Sequence, residues 1–262
     1  IKRSIENYQC LFSNRSGVSW QTAREIAHRF IPYIKEVYPD ALLEIEGIAA
    51  GSGFDFDDIL VLNCRSEILF AVPDGCSVIA AVPEMTANGH TLLAQTWDWT
   101  ENSLDTIVAL KIKQDPLPSM VIFTEAGIIG GKGINSKGLG VTLNATSTGK
   151  GRVGVPLHIL YRGILNQKSF SEAVEVVTKA QRAGCGCFNV ASSDGLAGSI
   201  EFTPEKFDVL MCEDRPLCHT NHYLSPLIRA EDLKFISTHA HALVRLNVIR
   251  RRTQLAGKLD LP

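Results

Sequence analysis

The chain has 262 residues, of which 45% are hydrophobic and 21% charged, with seven cysteines and a net charge of -2. Such a chain can bury a substantial core, and its charge balance offers no basic surface for nucleic acid or an anionic membrane. No apolar run reaches the ~18 residues of a membrane-spanning helix, and an odd number of scattered cysteines points to free thiols in a reducing compartment rather than a disulfide scaffold.

Residues 1 to about 70 read as helical. In "SWQTAREIAHRFIPYIKEVY", Ala23, Ile26, Ala27, Phe30, Ile31 and Ile34 fall on one face, with Ser19 as N-cap and Pro32 as a kink or stop. "PDALLEIEGIAAGSG" gives a helix closed by Gly51 and Gly53, and "DFDDILVLNCRSEILF" gives another with Asp55 near its start. The texture changes at Cys76. Strands are expected over Cys76–Val82, Thr91–Thr96, Thr106–Lys113, Met120–Thr124 and Gly140–Ala145, with Asn88-Gly89 as a hairpin turn. Helices near 156–166 and 171–182 follow. Then come strands Phe188–Ser192, Gly198–Thr203 and Phe207–Cys212, and a helical tail from about 230. Helices, strands, helices, strands, helix in that order suit an α+β sandwich rather than a βαβ repeat.

Four stretches invite chemistry. In "PDGCSVIAAV", Asp74-Gly75 reads as a turn and Cys76 opens an apolar strand. An internal Cys can attack the preceding carbonyl, and Gly75 leaves that carbonyl unhindered. Hydrolysis of the thioester frees an α-amine with a reference pKa of roughly 7.7–8.0, so nucleophile and base share one residue. A Cys at a strand mouth is also an ordinary small core hydrophobe. In "TWDWT", Asp98 lies between two Trp residues. It is either a turn cap or a carboxylate in a partly apolar cleft. Asn144 of "TLNATS" and Asn221 of "CHTNHYL" sit at expected strand ends. There an Asn can donate to an oxyanion or simply favour the turn. Asn144-Ala145-Thr146 also fits a glycosylation acceptor, which matters only in a secreted protein.

Cys185, Cys187, Cys212, Cys218, His219 and His222 resemble a metal inventory, but the C-x-C spacing and the strand-like context of the histidines argue against zinc. "GGKGINSKGLG" precedes a strand rather than a helix, so turns explain its glycines better than a phosphate loop does. Arg250, Arg251 and Arg252 read as a solvated helix face.

Together, "LNCRSEI" (62–68), "DGCS" (74–77), "QTWDW" (95–99), "FTEAGIIGGKGINSKGLGV" (123–141), "IEFTP" (200–204) and "HTNHYL" (219–224) resemble the acyl-coenzyme A:isopenicillin N (penicillin) acyltransferase family. The resemblance implies an N-terminal nucleophile hydrolase with a four-layer αββα sandwich. Its precursor would cut itself between Gly75 and Cys76 into a helical pro-segment or α chain (1–75) and a β chain (76–262) within one structural domain. By position, Cys76 matches the nucleophile, Asp98 the active-site aspartate and Asn221 the oxyanion-hole asparagine. Asn144 matches a similar asparagine in related cysteine members. The implied substrates are small amides or acyl thioesters, with coenzyme A as a carrier, and no cofactor or metal. No match for the family's later arginine is found, since Arg245 and Arg250–Arg252 stand in a helical context. Both ends read as truncated, with part of the sandwich missing. Neither end carries a targeting signal, so a cytoplasmic or peroxisomal location is expected. The alternative is a family remnant that binds small amides without catalysis, or an uncut, inactive precursor.

Overall fold

The computed structural model describes residues 1–69, 75–229 and 240–260. Six helices come first: α1 (Lys2–Leu11), α2 (Trp20–His28), α3 (Ile31–Val37), α4 (Asp40–Ser52), α5 (Phe56–Asn63) and α6 (Arg65–Leu69). Ser19 caps α2 by accepting from Thr22 N, and Gly53 closes α4 at φ 73°. The helix expected over 19–38 is two helices. Pro32 lies in the first turn of α3, where its missing N–H costs nothing, and the break falls before it at Arg29 and Phe30.

The strands begin at Gly75 and build two antiparallel sheets. The smaller has the order β10-β1-β2, from β1 (Gly75–Ala81), β2 (Leu92–Asp98) and β10 (Leu217–His219). The larger runs in sequence order through β3 (Ile107–Ile112), β4 (Met120–Glu125), β5 (Lys132–Asn135), β6 (Leu139–Asn144), β7 (Gly186–Ser192), β8 (Ala197–Phe202) and β9 (Phe207–Met211). Helices α7 (Leu157–Leu165) and α8 (Phe170–Lys179) cover one face of the larger sheet. The smaller sheet covers the other face over β6–β8, and the last helix, His241–Ala256, packs on β1 and β10. The layers are therefore α, β, β and α, the sandwich that was expected.

Strand alternation divides the larger sheet chemically. Val141, Phe188, Val190 and Ile200 belong to the main apolar core, and a Tyr161–Phe188–Phe202 ring ladder at 5.1 and 5.3 Å runs through it. The opposite face presents Asn144, Asn189, Ser199 and Glu201, all buried. Between the sheets the apolar packing is small, built on Ala80, Val82, Ala191 and Ala197.

One strand went unread: β5 hides in the glycine-rich passage, whereas the strand-like segment expected around His219 is β10, of only three residues. The Asn88-Gly89 turn belongs to a longer connection that includes a 3-10 turn at Pro83–Met85. Asp74 and the tail over 230–239 lie outside the described residues.

The glycine-rich passage now has physical reasons. Gly138 turns β5 into β6 at φ 78°. Gly130 has no room for a side chain, because a Cβ there would run into the His158 carbonyl at the start of α7. The "LNCRSEI" stretch ties the helices to this region. Asn63 Nδ2 donates to Gly127 O at 2.9 Å, and Asn63 Oδ1 accepts from Ile129 N at 2.9 Å. Arg65 pairs with buried Glu125 at 3.1 Å, and Glu67 Oε1 accepts from Leu157 N at 2.8 Å. Tyr8 Oη also donates to Glu125, at 2.8 Å. Gly130→Ala should destabilise the fold by about 1–3 kcal/mol through overpacking. Differential scanning calorimetry should show this as a lower Tm, whereas the same change at Gly47, which meets no atom within 4 Å, should leave Tm unlowered.

Candidate active site

Cys76 is the second residue of β1, and its side chain is 1% exposed. It stands opposite Trp97 in β2, while Gly75 stands opposite Asp98. Facing residues in an antiparallel pair share a side. The Cys76 thiol and Trp97 thus point together between the sheets, and Asp98 lies on the other side, over the Gly75 backbone. A Cβ on Gly75 would come within 2.7 Å of Asp98 Oδ2, so only glycine fits under that carboxylate. Asp98 is exposed, which corrects the expectation of a partly apolar cleft: strand alternation sends Trp97 and Trp99, not the acid, to the half-buried side.

Asn221 follows β10 and is 1% exposed. Its Oδ1 accepts from Cys76 N at 2.9 Å, and its Nδ2 donates to Ala145 O at 3.0 Å. Asn144 ends β6. Its Oδ1 accepts from Asn189 Nδ2 at 2.9 Å and takes a contact of 3.1 Å from His219 Nδ1. Its Nδ2 is buried and has no hydrogen-bond partner among the described residues. That N–H pair is a donor held ready with nothing to donate to. The four expected residues therefore fall in one region. Asn221 touches Cys76, Asp98 covers Gly75, and Asn144 adjoins the carbonyl that Asn221 grips.

A fifth residue joins them. Arg245, from the last helix, donates from Nη1 to Cys76 O at 2.6 Å and to Ser77 Oγ at 2.9 Å. Its Nη2 donates to Asn221 Oδ1 at 2.8 Å. Arg245 stands in a helix, as expected, but that helix lies directly on β1 and carries the guanidinium to the Cys76 backbone. No motif marked it, because only tertiary packing brings residue 245 to residue 76. Arg250, Arg251 and Arg252 are exposed, as a solvated face should be.

Behind this group lies a buried polar cluster. His219 Nε2 lies 2.8 Å from Glu201 Oε1, and both side chains are fully buried. Glu201 also accepts from Leu224 N at 2.7 Å and Ser225 N at 2.8 Å. Cys187 joins Glu201 and His219 as the one set of ligand-type atoms within 4.8 Å of each other among the described residues. Burial, with Glu201 beside it, pushes the Cys187 thiol well above its ordinary range, and both His219 nitrogens have protein partners. Cys185, Cys212, Cys218 and His222 are not part of this set. Burial drives His222 down to about 4. All seven cysteines are free thiols.

Beside the site is a cavity of about 160 Å³, lined in part by Trp99, Ala145 and residues of α6. Burial raises Glu67 there to about 7 from an ordinary 4.5. Burial holds His158 well below 6.5, with the Arg65 and Lys132 charges acting the same way.

Comparison with known proteins supplies the family. The family model described as acyl-coenzyme A:6-aminopenicillanic acid acyl-transferase matches residues 85–251. That span contains Asp98, Asn144, Asn221 and Arg245 and begins after Cys76. The acyl-coenzyme A:6-aminopenicillanic-acid-acyltransferase 40 kDa form of Emericella nidulans is 32% identical over 233 residues, covering 86% of this chain and 63% of that protein. The chain thus spans somewhat less than two thirds of that relative's length. Among solved structures, the chain is similar to the Caenorhabditis elegans ortholog of N-acylethanolamine-hydrolyzing acid amidase. There the TM-score is 0.48 at 17% identity, over 60% of this chain and 74% of that one. It is also similar to a mutant of conjugated bile acid hydrolase from Clostridium perfringens, with a TM-score of 0.44 at 16% identity over 62% and 57% of the two chains. No described helix is long and apolar enough to cross a membrane.

The buried carboxyl of Glu67 makes a pH prediction. Its folded pKa lies above the unfolded one, so its protonated form favours folding fully below about 4.5, and this stability is lost as pH rises through about 7. The shift corresponds to roughly 3 kcal/mol at most. His158, held neutral, acts with the opposite sign, so the comparison must be made between variants. Relative to Glu67→Gln, the parent should lose Tm progressively between these two pH values, as followed by thermal melts.

Proposed function

Because the chain belongs to the acyl-coenzyme A:6-aminopenicillanic acid acyl-transferase family, we propose that it is a self-processing N-terminal-cysteine acyltransferase or amide hydrolase. The hydrogen bond from Cys76 N to Asn221 Oδ1 carries the reading, since it holds the atom that would become the catalytic amine. Processing begins when the Cys76 thiol attacks the Gly75 carbonyl carbon. The C–N bond breaks and the nitrogen takes a proton. Water then hydrolyses the thioester to a Gly75 carboxylate and a free Cys76. The close fit of Asp98 over Gly75 and the grip of Arg245 on Cys76 O support a peptide held in one orientation at this point. Residues 1–75 and 76–262 are then two chains of one domain.

In turnover, the Cys76 thiol gives its proton to its own amine and attacks an amide or thioester carbonyl. Arg245 shares the Asn221 oxygen with that nitrogen, and its positive charge favours the unprotonated amine that a base requires. Asn144 Nδ2 is the better oxyanion donor, because one Asn221 N–H is already committed to Ala145 O. The amine returns its proton to the leaving amine or thiol. The S-acyl group passes to water or to an acceptor amine. The reaction consumes no cofactor, and coenzyme A, where it takes part, is a carrier of the acyl group.

Two measurements test this. A denaturing intact-mass spectrum should show two fragments meeting at Gly75/Cys76 in the parent and a single chain in Cys76→Ala. One uncut chain in both would overturn self-processing and leave an uncut precursor or a binding module. In a cut protein, Asn144→Ala should lower kcat on the order of 10²–10³-fold, as expected for a lost oxyanion donor, with little change in KM.

A further inference from the structure

Asn144 is one link in a chain of hydrogen bonds on the polar face that the larger sheet turns toward the smaller one. It stands opposite Cys187 in the pairing of β6 with β7, and Cys187 stands opposite Glu201 in that of β7 with β8, so the three side chains share this face. His219, at the end of β10, reaches into it. Its Nε2 lies 2.8 Å from Glu201 Oε1, and its Nδ1 lies 3.1 Å from Asn144 Oδ1. Asn144 Oδ1 also accepts from Asn189 Nδ2 at 2.9 Å, and Asn189 Oδ1 accepts from Ser199 Oγ at 2.6 Å. Asn144, Asn189, Glu201 and His219 are wholly buried, so their polar atoms find partners within the protein or go without.

The protons along this chain fix the charge of His219. Both Glu201 oxygens receive backbone N–H groups, as a carboxylate does, and a carboxylate only accepts, so Nε2 donates to it. An amide oxygen also only accepts, so Nδ1 donates to Asn144. A ring that donates from both nitrogens is an imidazolium, and its charge neutralises the buried acid. A neutral ring fails on its neighbours. It would keep Nε2–H for Glu201 and present a bare Nδ1 to Asn144. The Asn144 amide would have to turn over, setting its Nδ2 against Asn189 Nδ2. Asn189 would have to turn as well, withdrawing the oxygen that Ser199 Oγ and, at 3.7 Å, the Cys187 thiol approach. The charged ring avoids both reversals. It holds Asn144 with Oδ1 toward His219 and leaves Nδ2 at the end that has no partner among the described residues.

We propose that His219, kept as an imidazolium by Glu201, is a positioning residue: it pins the Asn144 oxygen, so that the amide offers N–H rather than C=O at its unpartnered end. The charge of the ring rests on the hydrogen bonds alone. Its bearing on turnover rests on the function proposed above, in which Asn144 Nδ2 is the oxyanion donor. The reversed amide would set a carbonyl oxygen against the developing negative charge.

The first experiment reads the charge. Cys76→Ala protein with isotope-labelled histidine is followed by NMR of the ring nitrogens at neutral pH. One histidine, slow to exchange with solvent, should carry protons on both ring nitrogens. When Glu201→Gln is added, the new amide N–H meets Nε2, and the same ring should keep its Nδ1 proton and lose the other. The absence of a doubly protonated ring, or one that Glu201→Gln leaves unchanged, would overturn the proposal. The second experiment compares kcat in cut protein. The Gln amide nitrogen stands as many bonds from Cβ as Nε2, and that of Asn as many as Nδ1. His219→Gln therefore removes the donor to Asn144 and should lower kcat on the order of 10²–10³-fold with KM little changed. His219→Asn should be about ten-fold or more faster than His219→Gln, as one restored hydrogen bond allows. In an Asn144→Ala background His219→Gln should cost nothing further, because it acts only through Asn144. Equal losses in the Gln and Asn variants, or losses that multiply in the double variant, would overturn the positioning role. Where a variant fails to fold or to cut, the ring spectrum of Cys76→Ala protein decides. An Asn144→Ala protein as fast as the parent, or a parent that stays uncut, would sink the proposed function, while the ring spectrum would still decide the charge of His219.

Discussion

The Glu201 carboxylate is the constraint on which the site depends. It is fully buried, and a buried charge is tolerated only where its oxygens are satisfied. Here the satisfying groups come from both sides of Asn221: His219 before it, and the Leu224 and Ser225 amides after it. The chain between them has little freedom to move without exposing the acid to an unpaired state. Asn221 is fixed as a consequence. His219 in turn orients the Asn144 amide, so one acid on β8 sets two asparagines on different strands. The asymmetry of hydrogen-bond energetics makes such a network stiff, since breaking one bond strands its partner.

The second constraint is that the site is composite. β1 brings Cys76, β2 brings Asp98, β6 brings Asn144, the segment after β10 brings Asn221, and the last helix brings Arg245. The two sheets meet through three alanines and one valine, small enough for the buried polar face of the larger sheet to lie close against β1. The helices before Gly75 contribute as well. Through Asn63, Arg65 and Glu67 they hold the loop after β4 and the start of α7, and they form a wall of the cavity.

How much of this was legible in the sequence follows from how local each signal is. Gly75-Cys76 could be read because a glycine, a thiol and a strand start are adjacent. Asn144 and Asn221 could be read because one ends a strand and the other closely follows one, and strand ends are where side chains reach a cleft. Arg245 could not be read, because its meaning comes from a helix laid across β1 some 169 positions away in sequence. Glu201 passed as an ordinary member of a strand, since a burial pattern that admits a charge looks like any other until its partners are known. Glu67 was legible only as a member of the "LNCRSEI" stretch and His158 not at all, since their partners, Leu157 N and Gly130 O, are set by tertiary packing. β5 escaped because it is short and rich in turn-forming residues.

The bonds from Asn63, Arg65 and Glu67 have a consequence for the order of events in the molecule's life. While the chain is whole, the helices find the sheet by a first-order search, with their ends tethered at Gly75. Under the proposed cut of that peptide bond, the same contacts could be re-formed only by a second-order encounter of two pieces, one of which has no sheet of its own to fold against. The proposed processing thus requires assembly before the cut. Afterwards the native state would persist because it unfolds slowly rather than because it can be regained, a kinetic stability in which each molecule folds once.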